Sequence, residues 1–156
     1  MNFNSILTIS ILSALLSTST KNIEKSFLQN NPRMLYPLFS SSTHLNISFP
    51  APITFSDQLS PQQAYFLFKK IFSTYTTFEF YSESNLPIIP EEDNFIFKAR
   101  WSFMNKKNDN QYVFYIYFYL KNETREKTRA SPLPSRVKKT NRDGIWKITE
   151  IRAEKL

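Results

Sequence analysis

Three side chains in this sequence are candidates for a catalytic acid or base: His44, Asp57 and Glu79. Such catalysis needs a carboxylate or imidazole held in an apolar cavity that tunes its pKa. The alternation of polar and apolar residues places His44 and Glu79 on polar strand faces, and Asp57 reads as a turn residue before a helix. Because no spacing ties the three together, we predict no catalytic residue and keep them as weak candidates.

Residues that commonly bind metals and cofactors are scarce. The chain has no Cys, one His and one Gly, Gly144, which excludes thiol nucleophiles, Cys-ligated zinc and Gly-rich phosphate loops. The carboxylates of Glu91, Glu92 and Asp93 lack the alternating ligands and the glycine of a calcium loop. We therefore expect a solvated loop there, no metal site and no cofactor.

The net charge is concentrated in one segment of a chain that is otherwise typical of a single domain. The chain has 156 residues, of which 16% are aromatic, and a formal charge of +7, a composition that excludes general disorder and favours strands. Residues 121–142 hold eight Lys or Arg against two Glu. We expect 122–142 to be a flexible basic loop, either merely solvated or in weak contact with anionic surfaces. The remainder lacks the basic face that nucleic-acid binding needs.

The first 20 residues are typical of a secretory signal peptide. They carry no charged side chain, and the apolar run from Ile6 to Leu16 is about half the length of a membrane span. The usual basic residue at the start is missing, so a buried helix is the alternative. We expect residues 1–20 to be a signal peptide and the chain to be exported, periplasmic or extracellular, and cytoplasmic if the segment is not cleaved.

Capping signals predict three helical segments from residue 20 onward, two close together near the start and one further along the chain. Thr20 is a candidate N-cap of a helix to Asn30, and Asn31-Pro32 restarts the chain as a cap and first helical residue. Downstream, Ser60-Pro61-Gln62-Gln63 combines a capping box with a proline at the first helical position. It predicts a helix over 61–75.

Alternating apolar and polar residues predict strands over 44–49, 76–83, 95–104, 111–121 and 145–151. In the strand predicted over 76–83, Phe78 and Phe80 fall on one face and Glu79 on the other. Arg100, on a neighbouring strand, is a candidate partner for Glu79.

One predicted strand is apolar on both of its faces. Tyr115, Tyr117 and Tyr119 alternate with inward-facing aromatic and aliphatic residues in 111–121. Such a strand is central in a sheet or faces a partner on its outer side. The tyrosine stripe suits a homodimer through the sheet face, and base stacking is the less favoured alternative.

This order of elements resembles the nuclear-transport-factor-2-like, or cystatin-like, fold, and is similar to a bacterial family of uncharacterised proteins with that fold. The segments that carry the resemblance are 31–38, 45–48, 59–68, 72–80 and 146–152. It covers roughly residues 21–156, as one domain. It implies an α+β fold with N-terminal helices packed on a strongly bent antiparallel sheet, cone-like with an internal pocket.

The absence of a catalytic constellation, together with an aromatic-rich cone-type fold, favours a binding or interaction domain over an enzyme. Tyr36, Phe68, Phe97 and Trp101 are our pocket candidates, and their types do not separate pocket from core. We expect a non-catalytic domain that binds a small apolar ligand or another protein.

The alternative is a small isomerase-like or dehydratase-like enzyme, as some members of this fold are. It would use a pocket carboxylate or histidine with tyrosine donors. It requires at least one of His44, Asp57 and Glu79 to point into the cavity.

Overall fold

The computed structural model describes residues 3–83, 93–124 and 144–156, with side chains for 16–83, 93–123 and 145–156. Within these ranges the chain forms three α-helices and six strands. In order they are α1 Phe3–Leu28, α2 Pro32–Leu35, β1 Leu45–Phe49, β2 Phe55–Leu59, α3 Pro61–Thr74, β3 Tyr75–Ser82, β4 Asn94–Asn105, β5 Gln111–Thr124 and β6 Gly144–Lys155. A 3-10 turn, Tyr36–Leu38, follows α2.

The strands form one open, mixed sheet in the order β2-β1-β6-β5-β4-β3. β3 to β6 are an antiparallel meander, whereas β1 pairs with β6 in parallel, with Ile47 opposite Ile151. The sheet is therefore not purely antiparallel as predicted. The reason is that β1 and β6 are joined through α3 and the whole meander, so no hairpin dictates their relative direction.

The helices pack on one face of this sheet, and the side chain of Phe27 in α1 is at the centre of the contact. Its ring centroid lies 4.5–5.9 Å from those of five other rings, of α3, β3, β4 and β5: Phe68, Phe72, Phe80, Trp101 and Phe118. The α+β class predicted from the sequence is confirmed by this arrangement.

The end of α1 is fixed to β3 through a residue in the left-handed region. Asn30 has φ 47°, a conformation that Asn tolerates better than most residues. The backbone N–H of Asn31 donates to the carbonyl of Ser26 at 2.8 Å. The side-chain oxygen of Asn30 accepts a hydrogen bond from the backbone N–H of Thr77 at 3.3 Å. Phe27, one turn from this end, is thereby held over the strands.

The capping box of α3 is present as predicted. Ser60 Oγ accepts from the backbone N–H of Gln63 at 3.2 Å, and Gln63 Oε1 accepts from the backbone N–H of Ser60 at 2.9 Å. The helix ends at Thr74, one residue before the predicted end. Asn31 likewise caps α2, with Pro32 as its first residue.

A β-bulge overturns the predicted pairing of Phe78 with Phe80 on one face. The register of β3 against β4 shifts between Thr77 and Glu79. Thr77 and Phe80 are therefore buried, whereas Phe78 is 48% exposed. An extra residue in one strand reverses the alternation beyond it.

Two other predictions about local structure are wrong. Asp57, predicted in a turn, lies in β2, whose Leu59 is its one buried residue among the five, so the strand leaves little apolar signal. Thr20 is not an N-cap, because α1 runs through it from Phe3 to Leu28 and its hydroxyl donates to the carbonyl of Ser17 at 3.0 Å. In the described part of the chain no helix is long and apolar enough to cross a membrane.

The basic loop falls mostly outside the described residues, as do Glu91 and Glu92. The described start of the loop continues β5, which runs to Thr124. There Glu123 accepts hydrogen bonds from the hydroxyls of Ser40 and Ser42. Residues 122–124 of the loop predicted over 122–142 are therefore part of β5, and the rest of that prediction falls almost wholly outside the described residues.

We expect Phe27→Ala to lower the free energy of unfolding by about 3–5 kcal/mol, because it removes a ring that five others surround. Phe66→Ala is the matched control, since Phe66 is 62% exposed, and should cost less than about 0.5 kcal/mol. Urea unfolding of both variants measures the difference. Equal losses in the two variants would contradict the central role of Phe27.

Candidate functional site

Three of the four pocket candidates lie in the hydrophobic core. Phe68 and Trp101 are 0% exposed and Phe97 is 3% exposed. The Trp101 ring stacks on Phe103 with a centroid distance of 4.0 Å. Tyr36 is separate from these three, because it is 39% exposed on the outer side of the helices.

The core has little polar content. Among the described residues the buried polar side chains are Ser26, Ser40 and Thr77, and each has a hydrogen-bond partner. The hydrogen bond of Thr77 orients a large buried ring, because the Thr77 Oγ1 accepts from Trp101 Nε1 at 3.0 Å. In this part of the chain no carboxylate or imidazole is buried.

The three acid/base candidates are all exposed, and Glu79 lies at the opposite edge of the sheet from the other two. His44 precedes β1, Asp57 is in β2 and Glu79 is in β3, and β2 and β3 are the two opposite edges of the sheet. Asp57 accepts from the backbone N–H of Gln58 at 2.7 Å. The structure brings no two of these candidates together.

The partner predicted for Glu79 is also different. Its carboxylate accepts from the hydroxyl of Ser102 at 3.4 Å, its neighbour in the register of β4. Arg100 instead donates from Nη1 to the Tyr81 hydroxyl at 2.9 Å. This hydrogen bond, followed by the attraction of the Glu79 carboxylate, raises the pKa of the Arg100 guanidinium above its ordinary value. The guanidinium is charged at neutral pH in any case.

The outer face of the sheet carries the tyrosine stripe. Tyr115, Tyr117 and Tyr119 point away from the core and are half-buried, while Phe114, Ile116 and Phe118 between them are buried. Lys98 Nζ lies 3.9 Å from the ring centroid of Tyr115 and 5.7 Å from that of Tyr117. The stripe is therefore amphipathic, with rings covered in part by aliphatic and cationic side chains.

Residues of β6 complete this outer face. Arg152 Nη2 forms an ion pair with Glu154 Oε1 at 3.0 Å, and the hydroxyl of Tyr117 donates to Glu154 at 3.4 Å. The sequence analysis missed both charged residues because it ended this strand at 151. The polar positions that alternate with Ile151 and Ala153 were a signal that could have extended it.

A surface groove lies on the other side of the molecule, beside the helices. One part of it, of 350 Å³, is lined by Arg33, Tyr36, Gln62, Tyr65 and Phe66. The adjoining part, of 430 Å³, shares Arg33 and Tyr65 and also includes Lys69. Sequence analysis named Tyr36 alone of these residues as a pocket candidate, because they come from helical segments about thirty residues apart in the chain.

Solved structures with the same arrangement of helices and sheet are nuclear-transport-factor-2-like proteins. A DUF4783 family protein from Bacteroides uniformis has a TM-score of 0.58 and 12% identity, covering 87% of this chain and 95% of its own. A ketosteroid isomerase-like protein from Erwinia carotovora atroseptica has a TM-score of 0.61 and 11% identity, covering 92% and 95%. No family model matches the sequence, and neither does any curated protein.

A third neighbour is described as a nuclear-transport-factor-2-like protein of unknown function in nutrient uptake, from Rhodospirillum rubrum. It has a TM-score of 0.58 and 6% identity and covers 90% of this chain and 98% of its own. At such identities the likeness is one of fold. The chain has the cone-like α+β fold of the nuclear-transport-factor-2-like proteins, as the resemblance in its sequence implied.

We expect Thr77→Val to lower the free energy of unfolding by about 1–3 kcal/mol, because it leaves the buried indole N–H of Trp101 without an acceptor. Thr76→Val, on the neighbouring and less buried residue, is the matched control and should change little. Chemical denaturation checks both. A loss as large in the control would show that the hydrogen bond contributes nothing specific.

Proposed function

We propose that this chain is a non-catalytic interaction domain that pairs with a second copy through the outer face of its sheet. The observation that carries the proposal is the division of aromatic residues between two faces of β5. One set is buried around Phe27 and Trp101 in the core, and the other, Tyr115, Tyr117 and Tyr119, faces outward. Tyrosine and arginine are the residue types that interfaces favour.

The size of this face supports pairing. β4, β5 and β6 have 12, 14 and 12 residues, and strands rise ~3.3 Å per residue with a spacing of ~4.8 Å. With β3, four strands present roughly 700 Å², close to the ~800 Å² per partner of a standard interface. The balance of charges also suits self-association, because Lys98, Arg100 and Arg152 lie beside Glu79 and Glu154.

A small apolar ligand inside the cone is the other non-catalytic possibility, and it stays a prediction. Phe68, Phe97 and Trp101 would have to move apart to admit it, because their rings are packed against neighbours. Displacing core rings costs stability that a ligand must restore. Because these core rings are closely packed, we propose the outer face of the sheet as the interaction surface.

An isomerase-like activity is the second candidate function, and it rests on the description of the Erwinia neighbour. Against it stand His44, Asp57 and Glu79, all exposed and without the apolar surroundings that tune a general base. Turnover across a panel of isomerase and hydratase substrates, lost in one of the variants His44→Gln, Asp57→Asn or Glu79→Gln, would overturn the non-catalytic proposal.

One chain has a mass of 18.4 kDa. We expect sedimentation equilibrium at high micromolar protein concentration to give twice this mass. Tyr117→Arg should shift the protein to a monomer, because it adds a cation between Lys98 and Arg152, its cross-strand neighbours, and burying unpaired like charges in an interface is costly.

Phe66→Arg is the matched control for this experiment. It places the same charge on an exposed aromatic position of α3, on the side of the molecule away from the stripe, and should leave the dimer intact. A monomeric parent protein, or a dimer that Tyr117→Arg does not weaken, would contradict the proposal.

We also propose that residues 1–20 are removed on export. The helix that remains, from Lys21 to Leu28, keeps Ile23 and Phe27, both 0% exposed, whereas Leu16 is the core residue lost among those described. Mass spectrometry of the protein from its native cell envelope should then give an N-terminus near Lys21. Detection of intact Met1 in that fraction would contradict export with cleavage.

A further inference from the structure

The groove beside the helices is open to solvent and consists of two adjoining parts, as suits a binding site for a peptide segment. Its two parts, of 350 and 430 Å³, adjoin at Arg33 and Tyr65. Each part alone is at the lower end of small-molecule pockets, which are roughly 300–1,000 Å³. Both parts are open to solvent and lie between α3 and the segment of α2 and its 3-10 turn, which suits a peptide better than a small ligand that must be enclosed.

The groove has an apolar end. The rings of Tyr36 and Tyr65 meet edge to face with centroids 5.7 Å apart, and Tyr65 contacts Phe66 at 5.3 Å. Phe66 is the most exposed of the large apolar side chains that the structure describes. An exposed aromatic cluster rimmed by polar residues is typical of a protein-interaction surface.

The rest of the groove is positively charged. Arg33 lies where the two parts meet, and Lys69 lines the larger one. Within the described ranges neither forms an ion pair, and no lining residue is acidic. Asn30, Asn31 and Ser73 add uncharged polar groups around the cations. A guanidinium and an ammonium without acidic neighbours favour a ligand with carboxylates.

We propose that this groove binds an acidic segment of a partner protein. Its carboxylates pair with Arg33 and Lys69, and an aromatic or aliphatic side chain packs on Tyr36 and Phe66. The groove is formed by the helices, whereas the tyrosine stripe is on the opposite face of the sheet. A dimer through the stripe therefore leaves both grooves open, and the two interactions can be tested separately.

The probe is a phage-displayed library of random peptides of about 12 residues, selected on the immobilised full chain and followed by anisotropy of one recovered, fluorescein-labelled peptide. We expect recovered sequences to combine Asp or Glu with an aromatic or leucine residue. The double variant Arg33→Gln, Lys69→Gln should weaken binding about tenfold or more, because charge-assisted hydrogen bonds are lost. Phe66→Ser should weaken it through the lost apolar contact.

Three controls separate this site from other surfaces. Lys70→Gln changes an exposed lysine of α3 that does not line the groove, and should bind like the parent. Tyr117→Arg should also bind normally, even if it abolishes the dimer. Replacing residues 125–142 by a short neutral turn, which spares Glu123 in β5, removes most of the basic segment and should leave the affinity unchanged.

Several results would overturn the proposal. They are the recovery of no peptide, recovered peptides without acidic residues, equal effects of Lys70→Gln and the double variant, and loss of binding with the basic segment. If the double variant fails to fold, the peptide supplies the same test. Its Asp and Glu residues are changed to Asn and Gln, and undiminished binding to the parent protein contradicts pairing with Arg33 and Lys69.

Discussion

The packing of one ring, Phe27, joins the two layers of this domain. The ring stacks on Phe80 with a centroid distance of 4.5 Å and meets Trp101 edge to face at 5.1 Å, so that one side chain connects α1 to the strands and to α3. Aromatic pairs in these geometries add to the stability gained by burial alone. Asn30, which follows the end of α1, accepts a hydrogen bond from the backbone N–H of Thr77 and so keeps the ring in this position. In the part of the chain that the structure describes, closely packed rings fill the interior around Phe27, and we therefore propose binding on the outer surfaces.

The two outer surfaces described above differ in chemistry, and this difference is the basis of the separate roles that we propose for them. The sheet face mixes cations with Glu79 and Glu154 around tyrosines, a balanced pattern that can pair with its own copy. The groove combines Arg33 and Lys69 with aromatic rings and has no acidic lining residue among those described, a one-signed pattern that cannot. We therefore propose self-association for one side of the domain and binding of a different partner for the opposite side.

Local signals predicted the fold well where one residue type has one structural meaning. The Ser60 and Gln63 capping box and the alternation from Phe95 to Phe103 appear in the structure as the sequence indicated. Prediction failed at the bulge after Thr77, because a bulge depends on the register with β4, and at β2, because an edge strand with one buried residue has little apolar pattern. The candidate site was harder. The residue type of an aromatic side chain does not tell whether it lies in the core or lines a pocket. Arg33 and Lys69 line the same groove only because α2 packs on α3.

The parallel pairing of β1 with β6 also has a consequence for how the chain is made. Ile47 and Ile151 face each other across this pairing although about a hundred residues separate them in sequence. Closing so long a loop is slow compared with forming the meander. During synthesis, β6 must leave the ribosome before the β1–β2 hairpin can dock beside it. Until then the hairpin exposes unpaired backbone and Leu45, Ile47 and Phe49, residues that are buried in the finished domain. The hairpin is therefore a segment that a factor guarding the nascent chain would have to cover until β6 has been made.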